Sequence, residues 1–218
     1  PIVKYWNSVT YGNGKFVAIA YNTNIAAYSE DGIIWTEIDM SSSKKWNSVT
    51  YGDDKFVAVA QYSIKYSEDG ITWTSAEIPD SAVLYSITYG NGKFVAVGSN
   101  IAAYSEDGIT WTETSLPISK SCRTVTYGNG KFVAFGDNSN NSEYALYSID
   151  GISWTEITLP LSGKSWSGVT YGDGTFVAIT QGTYNPKWAV STDGINWSIS
   201  SRPSDKELYS ITYGNGKF

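Results

Sequence analysis

Five aspartates recur in one repeated phrase, and they are the residues of this chain best able to do chemistry. The phrase reads SEDGIIW at 29–35, SEDGITW at 67–73 and 105–111, SIDGISW at 148–154 and STDGINW at 191–197. Recurring carboxylates could bind a metal ion or serve as general acid and base. Each phrase, however, supplies one carboxylate in its own turn, so no two of them converge on one substrate. We therefore predict a structural role, in which Asp31, Asp69, Asp107, Asp150 and Asp193 accept N–H bonds within their own turns.

Other catalytic residue types are scarce. The chain contains no histidine, which removes the commonest general base and metal ligand. Cys122 is the single thiol, and it stands where other repeats have Trp6, Trp46 and Trp166, which predicts a packing role. The acids outside the repeated phrase lie in variable linkers without a convincing pair; they include Glu37, Asp39, Glu77 and Asp80. These observations predict that the chain is not an enzyme and uses no cofactor.

One loop has the alternating oxygen-bearing residues of a calcium site. Residues 137–143 read DNSNNSE, which resembles the start of a calcium-binding loop. Such a loop also needs glycine at its sixth position and glutamate at its twelfth. Those positions are Ser142 and Ser148 here, so we predict a solvated hairpin tip and no metal site.

The elements that carry these residues are repeats. The phrase TYG, a short turn and F occur at 10–16, 50–56, 88–94, 126–132, 170–176 and 212–218. Measured from Val9 through Val49, Ile87, Val125, Val169 and Ile211, the spacing is 40, 38, 38, 44 and 42 residues. Repeats of this length without a helical pattern are typical of the stacked four-stranded blades of a β-propeller.

Each repeat divides into four predicted strands, A to D, which in the first repeat are 6–11, 15–20, 25–30 and 33–38. Gly12-Asn13-Gly14 and Asp31-Gly32 are the predicted A–B and C–D hairpin turns. Both faces of strand B are apolar, as in a sheet packed between two neighbours, and the tryptophan of strand D would fill the gap between blades. We predict an all-β propeller in a single domain, with blades at 5–40, 45–80, 83–118, 121–160 and 165–203 and a surplus first strand of a sixth blade at 207–218.

Charge and hydropathy exclude several classes of partner. The net charge is −6, and the chain has no block of basic residues, which argues against binding to nucleic acid or an anionic membrane surface. It also has no apolar run of about 18 residues, which predicts no membrane insertion.

The five Ser-x-Asp-Gly-x-x-Trp phrases resemble Asp-box (BNR) repeats, which occur in sialidases and in many other β-propellers. The usual box has one more residue before the glycine. Together with YGNGKFVA, the phrases are also similar to repeat arrays of bacterial and phage surface or tail-associated proteins, which implies an extracellular or surface location. A sialidase is expected to hold its substrate carboxylate with three arginines. This chain has only Arg123 and Arg202, so we do not expect a catalytic sialidase.

The B–C loops are the variable part of the repeats, whereas the A–B and C–D turns are nearly constant. Binding residues concentrate in loops on a rigid scaffold, and these loops carry asparagine, tyrosine and tryptophan, which suit sugar hydroxyls and rings. The sequence therefore predicts lectin-like glycan binding, with protein or peptide binding, or a structural propeller of a surface fibre, as alternatives. The surplus strand adds self-association to the expected partners. The predicted ligand-binding residues are Asn22, Asn24, Tyr62, Asn100, Arg123, Asn138, Tyr184, Asn185 and Trp188.

Overall fold

The computed structural model of the chain describes residues 4–78, 82–117, 121–136, 144–160, 165–181, 187–201 and 208–218. All regular secondary structure in these ranges is β-strand, which confirms the all-β prediction. No helix in the described ranges could span a membrane. The chain divides into two compact units, Pro1–Glu113 and Thr114–Phe218. The single domain stays a prediction.

The first unit holds three repeats in two antiparallel sheets. Its six-stranded sheet has the order β1 to β6, and the following four strands form a second sheet. The strands are β1 Trp6–Gly12, β2 Lys15–Ser29, β3 Thr36–Gly52, β4 Lys55–Ala60, β5 Ser63–Ser67, β6 Thr74–Ser75, β7 Leu84–Gly90, β8 Lys93–Gly98, β9 Ala102–Ser105 and β10 Thr112–Thr114. Here β2 covers the predicted strands B and C of the first repeat, and β3 joins its strand D to strand A of the second.

The second unit holds two repeats, each a four-stranded sheet in chain order. Its strands are β11 Cys122–Gly128, β12 Lys131–Gly136, β13 Tyr144–Ser148, β14 Thr155–Thr158, β15 Trp166–Gly172, β16 Thr175–Thr180, β17 Lys187–Ser191 and β18 Ser198–Ser201. The described part of the predicted surplus strand is 208–218, in which the structure has the isolated bridge between Gly214 and Lys217.

The two hairpin turns of each repeat behave differently. Asn13 and Gly14 both take positive φ, 46° and 73°, as a tight A–B turn requires. At the C–D connection only Gly32 does, with φ 74°, and strand D begins at Thr36 rather than at the predicted Ile33. The expected two-residue hairpin is therefore wrong there, because the Asp31 side chain organises a longer turn.

The hydrophobic core lies between the sheets of consecutive repeats. Val17 and Ile19 of the first repeat join a buried cluster with Trp46, Val49 and Trp73 of the second. Val133 and Phe135 do the same with Trp166, Val169 and Trp197 in the second unit. The tryptophan that precedes strand D thus packs between repeats, and each strand B supplies aliphatic side chains to the repeat that follows.

Candidate functional site

A β-bulge interrupts the first strand of every repeat at the same position. The pairing register shifts between Trp6 and Ser8, Trp46 and Ser48, Leu84 and Ser86, Cys122 and Thr124, and Trp166 and Gly168. A bulge shifts the pairing register and redirects the side chain at the shift. The residues placed there are Asn7, Asn47, Tyr85, Arg123 and Ser167.

We call the end of each sheet that carries this residue the bulge edge. Trp6 pairs with Ala20 there, so the start of strand A lies beside the end of strand B and the B–C loop. Among the predicted binding residues, Tyr62 and Asn100 occupy these loops, whereas Asn22 lies within β2 because the predicted first B–C loop is part of that strand; their φ values are 59°, 61° and 56°. The structure therefore places each of them at the same edge of its sheet as the bulged residue.

In the first unit, side-chain amides at the bulge edge connect consecutive repeats. Asn7 Nδ2 donates to the carbonyl oxygens of Trp46 and Asn47, at 3.0 and 3.2 Å. Asn47 Nδ2 donates in turn to the Leu84 carbonyl oxygen at 2.6 Å. These asparagines were not among the predicted binding residues. The signal was the variability of this position, which is Asn, Asn, Tyr, Arg and Ser in the five repeats, whereas every repeat ends the strand with Val or Ile followed by Thr-Tyr-Gly.

Asn24, another predicted binding residue, is engaged inside its own sheet. Its Nδ2 donates to Asp39 Oδ1 at 2.9 Å, and the same oxygen accepts the Ser41 backbone N–H at 2.7 Å. The pair holds the C and D segments of the first repeat together beside the B–C loop. The Asn24 side chain therefore makes a structural contact within its own repeat.

In the second unit, Arg123 is exposed at the bulge of β11, and Ser167 Oγ donates to the Leu208 carbonyl oxygen at 3.1 Å. Trp188 faces Ile179 across the sheet. Its buried indole N–H has no hydrogen-bond partner within the described ranges. The predicted residues Asn138, Tyr184 and Asn185 lie outside the residues that the structure describes.

The five aspartates lie at the opposite end of the sheets, in the C–D turns. Asp69 Oδ1 accepts the N–H groups of Ile71 and Thr72 at 2.8 and 2.7 Å and the Ser67 hydroxyl at 2.9 Å. The same three contacts recur at Asp31, Asp107, Asp150 and Asp193. These bonds organise each turn through one oxygen, Oδ1, of each carboxylate, which gives the aspartates a role in folding.

Hydrogen bonding sets the charge state of these turns. Partial burial would raise the pKa of Asp69, but the bonds from Thr72, Ile71 and Ser67 outweigh it and lower the pKa to about 2. At Asp31 the bond from Ile34 contributes most, followed by those from Ile33 and Ser29, and the pKa is again below its usual value. These aspartates are therefore ionised near neutral pH, which does not suit a general acid.

Cys122, the single thiol of the chain, has a packing role. Cys122 is fully buried, and burial raises the pKa of its thiol to about 12, so it is protonated and shielded. Among the residues that the structure describes, no three acidic, histidine or cysteine side chains come together as a metal site would require.

The sequence matches no protein-family model and no curated protein, but its fold matches solved structures over nearly its whole length. A catalytically inactive histidine-to-alanine variant of Staphylococcus aureus virginiamycin B lyase, solved with quinupristin, aligns with a TM-score of 0.84 and 17% identity, covering 98% of this chain and 76% of that one. The Dos1 propeller aligns at 0.70 and 9%, covering 91% and 61%. The Pan2 WD40 domain of Neurospora crassa aligns at 0.65 and 10%, covering 95% and 68%.

At these identities the likeness shows the fold, and that fold is the β-propeller. The Asp-box resemblance gains no support from a family match. The prediction that the chain is not an enzyme is contradicted, because the structure of a lyase aligns with 98% of this chain. That prediction relied on the lack of familiar catalytic residue types, and such a lack does not exclude an activity carried by other groups.

Proposed function

We propose that the chain is a five-bladed recognition propeller that binds a glycan at its bulge edges. The observation that carries the proposal is the bulge itself. In every repeat the pairing register shifts at the second residue of the first strand, yet that residue is asparagine, tyrosine, arginine or serine. A side chain that varies between repeats at a constant backbone position, beside loops that also vary, is suited to recognition.

The chemistry of this edge favours a sugar. Tyr62 is 52% exposed in the B–C loop of the second repeat, where its ring can pack on the apolar face of a pyranose. Asn22 in β2 and Asn100 in the B–C loop of the third repeat are exposed and offer both donors and acceptors to hydroxyl groups. The Arg123 guanidinium can bind vicinal hydroxyls or the carboxylate of an acidic sugar through paired N–H groups.

The opposite edge is less suited to a ligand because its turns hardly vary between repeats and join one repeat to the next. Asn13 Nδ2 donates to the Glu68 carbonyl oxygen at 3.4 Å, and Asn129 Nδ2 donates to the Thr192 carbonyl oxygen at 3.0 Å. Each contact ties the A–B turn of one repeat to the aspartate turn of the next. These contacts explain why the turns are nearly constant in sequence. Recognition is therefore assigned to the bulge edge, where the sequence varies.

A glycan array followed by calorimetry tests the proposal. The informative variant is Asn100→Ala, whose matched control is Asn91→Ala at the other end of the same sheet. Both asparagines are exposed, with φ of 61° and 49°, so the backbone cost of alanine is similar. Loss of glycan binding by the Asn100 variant alone supports the proposal. Equal loss in both variants, or an array without any hit, contradicts it.

A further inference from the structure

Two B–C loops of the first unit meet at Ala82 and Val83, where the second repeat passes into the third. The Tyr62 N–H donates to the Ala82 carbonyl oxygen at 2.9 Å, and Gln61 forms an antiparallel bridge with Val83. The Ser99 N–H donates to the next carbonyl oxygen, that of Val83, at 2.9 Å. The loops of the second and third repeats therefore adjoin the same connecting segment. We call residues 61–63, 82–85 and 98–101 together the junction patch.

The junction patch presents an aromatic ring and a primary amide from two different repeats. Tyr62 is 52% exposed, and Asn100 is also exposed. Neither side chain has a hydrogen-bond partner among the residues that the structure describes. The amide of Asn24, by contrast, is occupied by the Asp39 carboxylate. The ring of Tyr62 and the amide of Asn100 are therefore both available to a ligand.

The backbone of Tyr62 is strained in a way that folding alone does not require. Its φ is 59°, and the equivalent residues of the first and third repeats, Asn22 and Asn100, have φ of 56° and 61°. Asparagine tolerates this left-handed conformation, whereas a bulky side chain there is an outlier. The bond to Ala82 and the bridge of Gln61 hold Tyr62 in place. Strain that the surrounding structure maintains is typical of ligand-binding positions.

The composition of the junction patch indicates the charge of its ligand. Its three segments read QYS, AVLY and GSNI, so none of its residues carries a charge, although the chain as a whole has a net charge of −6. Recognition of a carboxylate or an ammonium group would need a charged partner in the patch. A tyrosine ring can pack against the C–H groups of a sugar, and an amide both donates to and accepts from hydroxyl groups.

We propose that the junction patch binds a neutral pyranose, which packs on the Tyr62 ring and bonds to the Asn100 amide. Tyrosine at position 62 is then kept for this ligand at a cost in stability. The inference rests on the proposed glycan binding and narrows it, because the first unit would bind a neutral sugar, whereas an acidic sugar would need Arg123 in the second unit.

The variant Tyr62→Asn separates the ligand role from folding. It introduces the residue that the first and third repeats have at this position, so we expect its melting temperature to rise as the strain is relieved. Its affinity for the sugar should fall by about tenfold or more, as when an interface tyrosine is removed. Tyr62→Phe keeps the ring and should bind like wild type. The matched control is Tyr21→Asn, because Tyr21 is 40% exposed but lies outside the patch, and this variant should bind normally.

The probes are the methyl glycosides of glucose, galactose and mannose and of the corresponding uronic acids, which carry a carboxylate in place of the primary hydroxyl group. An NMR titration gives Kd for each probe. We expect at least one neutral glycoside to bind more tightly than its uronic acid, and Tyr62→Asn and Asn100→Ala to weaken that binding.

Three results overturn this inference and leave the proposed function standing, provided that the glycan array has a hit. They are a preference for a uronic acid, an affinity that Tyr62→Asn does not change, and a lack of binding by all of these probes. A lower melting temperature of Tyr62→Asn overturns the claim that tyrosine is kept at a cost. An array without any hit overturns the proposed function, and this inference with it.

Discussion

The ring of Tyr89 lies where the side chain of Gly52 would begin. A Cβ on Gly52 would lie 2.0 Å from Tyr89 Cγ, a distance that no packed pair of atoms can keep. The same relationship joins Gly12 to Tyr51, Gly128 to Tyr171 and Gly172 to Tyr213. The repeated phrase TYG thus contains both partners of the contact, since in these four pairs one repeat supplies the glycine and the next supplies the tyrosine.

We predict that Gly52→Ala destabilises the protein by about 1–3 kcal/mol, the usual cost of forcing a methyl group into a filled space. Gly214→Ala is the matched control, because Gly214 also follows Thr-Tyr and has open space around its Cβ. Denaturant unfolding of dilute protein measures both. Similar losses in the two variants would show that the tyrosine ring moves aside easily.

A second prediction concerns the tryptophans between repeats. Trp73→Ala should cost about 3–5 kcal/mol, as expected for removal of a packed aromatic side chain, because Trp73 is 8% exposed. Trp35 occupies the same position in the first repeat but is 40% exposed, so Trp35→Ala should cost clearly less in dilute protein. Urea unfolding of both variants checks this. A loss below about 1 kcal/mol at Trp73 would contradict the packing role.

A third prediction concerns acid stability. The pKa of Asp69 is lowered from 3.8 to about 2 in the folded chain, so its stabilising contribution is complete above the unfolded value and is lost as pH falls from 3.8 towards 2. Asp69→Asn should cost about 1 kcal/mol near neutral pH and show a shallower loss of stability in acid. The control is Asp53→Asn, an exposed turn residue whose carboxylate lies 3.8 Å from the Lys55 ammonium. Parallel acid profiles for wild type and Asp69→Asn would contradict the assignment.

A fourth prediction concerns Lys65, which is 5% exposed in β5. Burial lowers the pKa of its ammonium group, with the Asp39 carboxylate acting in the opposite direction. Because the folded pKa is below 10.5, the penalty is present at neutral pH and is relieved as pH rises towards that value. Leu146 fills the equivalent position of the fourth repeat, opposite Ala134. Lys65→Leu should therefore gain about 1 kcal/mol at pH 7, and thermal melts should show the gain shrinking at pH 10.

The sequence predicted the repeats, their strands and their turns because these follow local rules. Asn13-Gly14 forms the expected turn, and the apolar residues of strand B are buried on both faces. The continuity of β3 through Thr36–Gly52 was not predictable, since its Ser and Lys residues are typical of a loop. Pairing of Tyr21 and Thr23 with Lys45 and Lys44 overrides that local preference.

The bulge edge was predicted in part. The variable loops pointed to Asn22, Tyr62 and Asn100, which the structure places at one end of their sheets. Of the five bulged residues, Arg123 alone was predicted, because asparagine, tyrosine, arginine and serine share no backbone preference that would identify the position. It is defined by cross-strand pairing, which depends on residues about a dozen positions away in the chain, as in the pairing of Trp6 with Ala20.

The contacts between successive repeats also give each unit a polarity. In the first unit Val17 packs towards Trp73, Gly12 receives Tyr51, and Asn7 donates to the second repeat, all in the direction of the chain. The first repeat is also less covered than the second: Trp6 and Val9 are 48% and 59% exposed, whereas Trp46 and Val49 are 0% and 5% exposed. Stability in such arrays is a sum of nearest-neighbour terms, so thermal fraying should start at the first repeat and spread forward. Backbone amides of β1 should then exchange with deuterated solvent before those of β4, although both strands have nearly the same pattern of apolar residues.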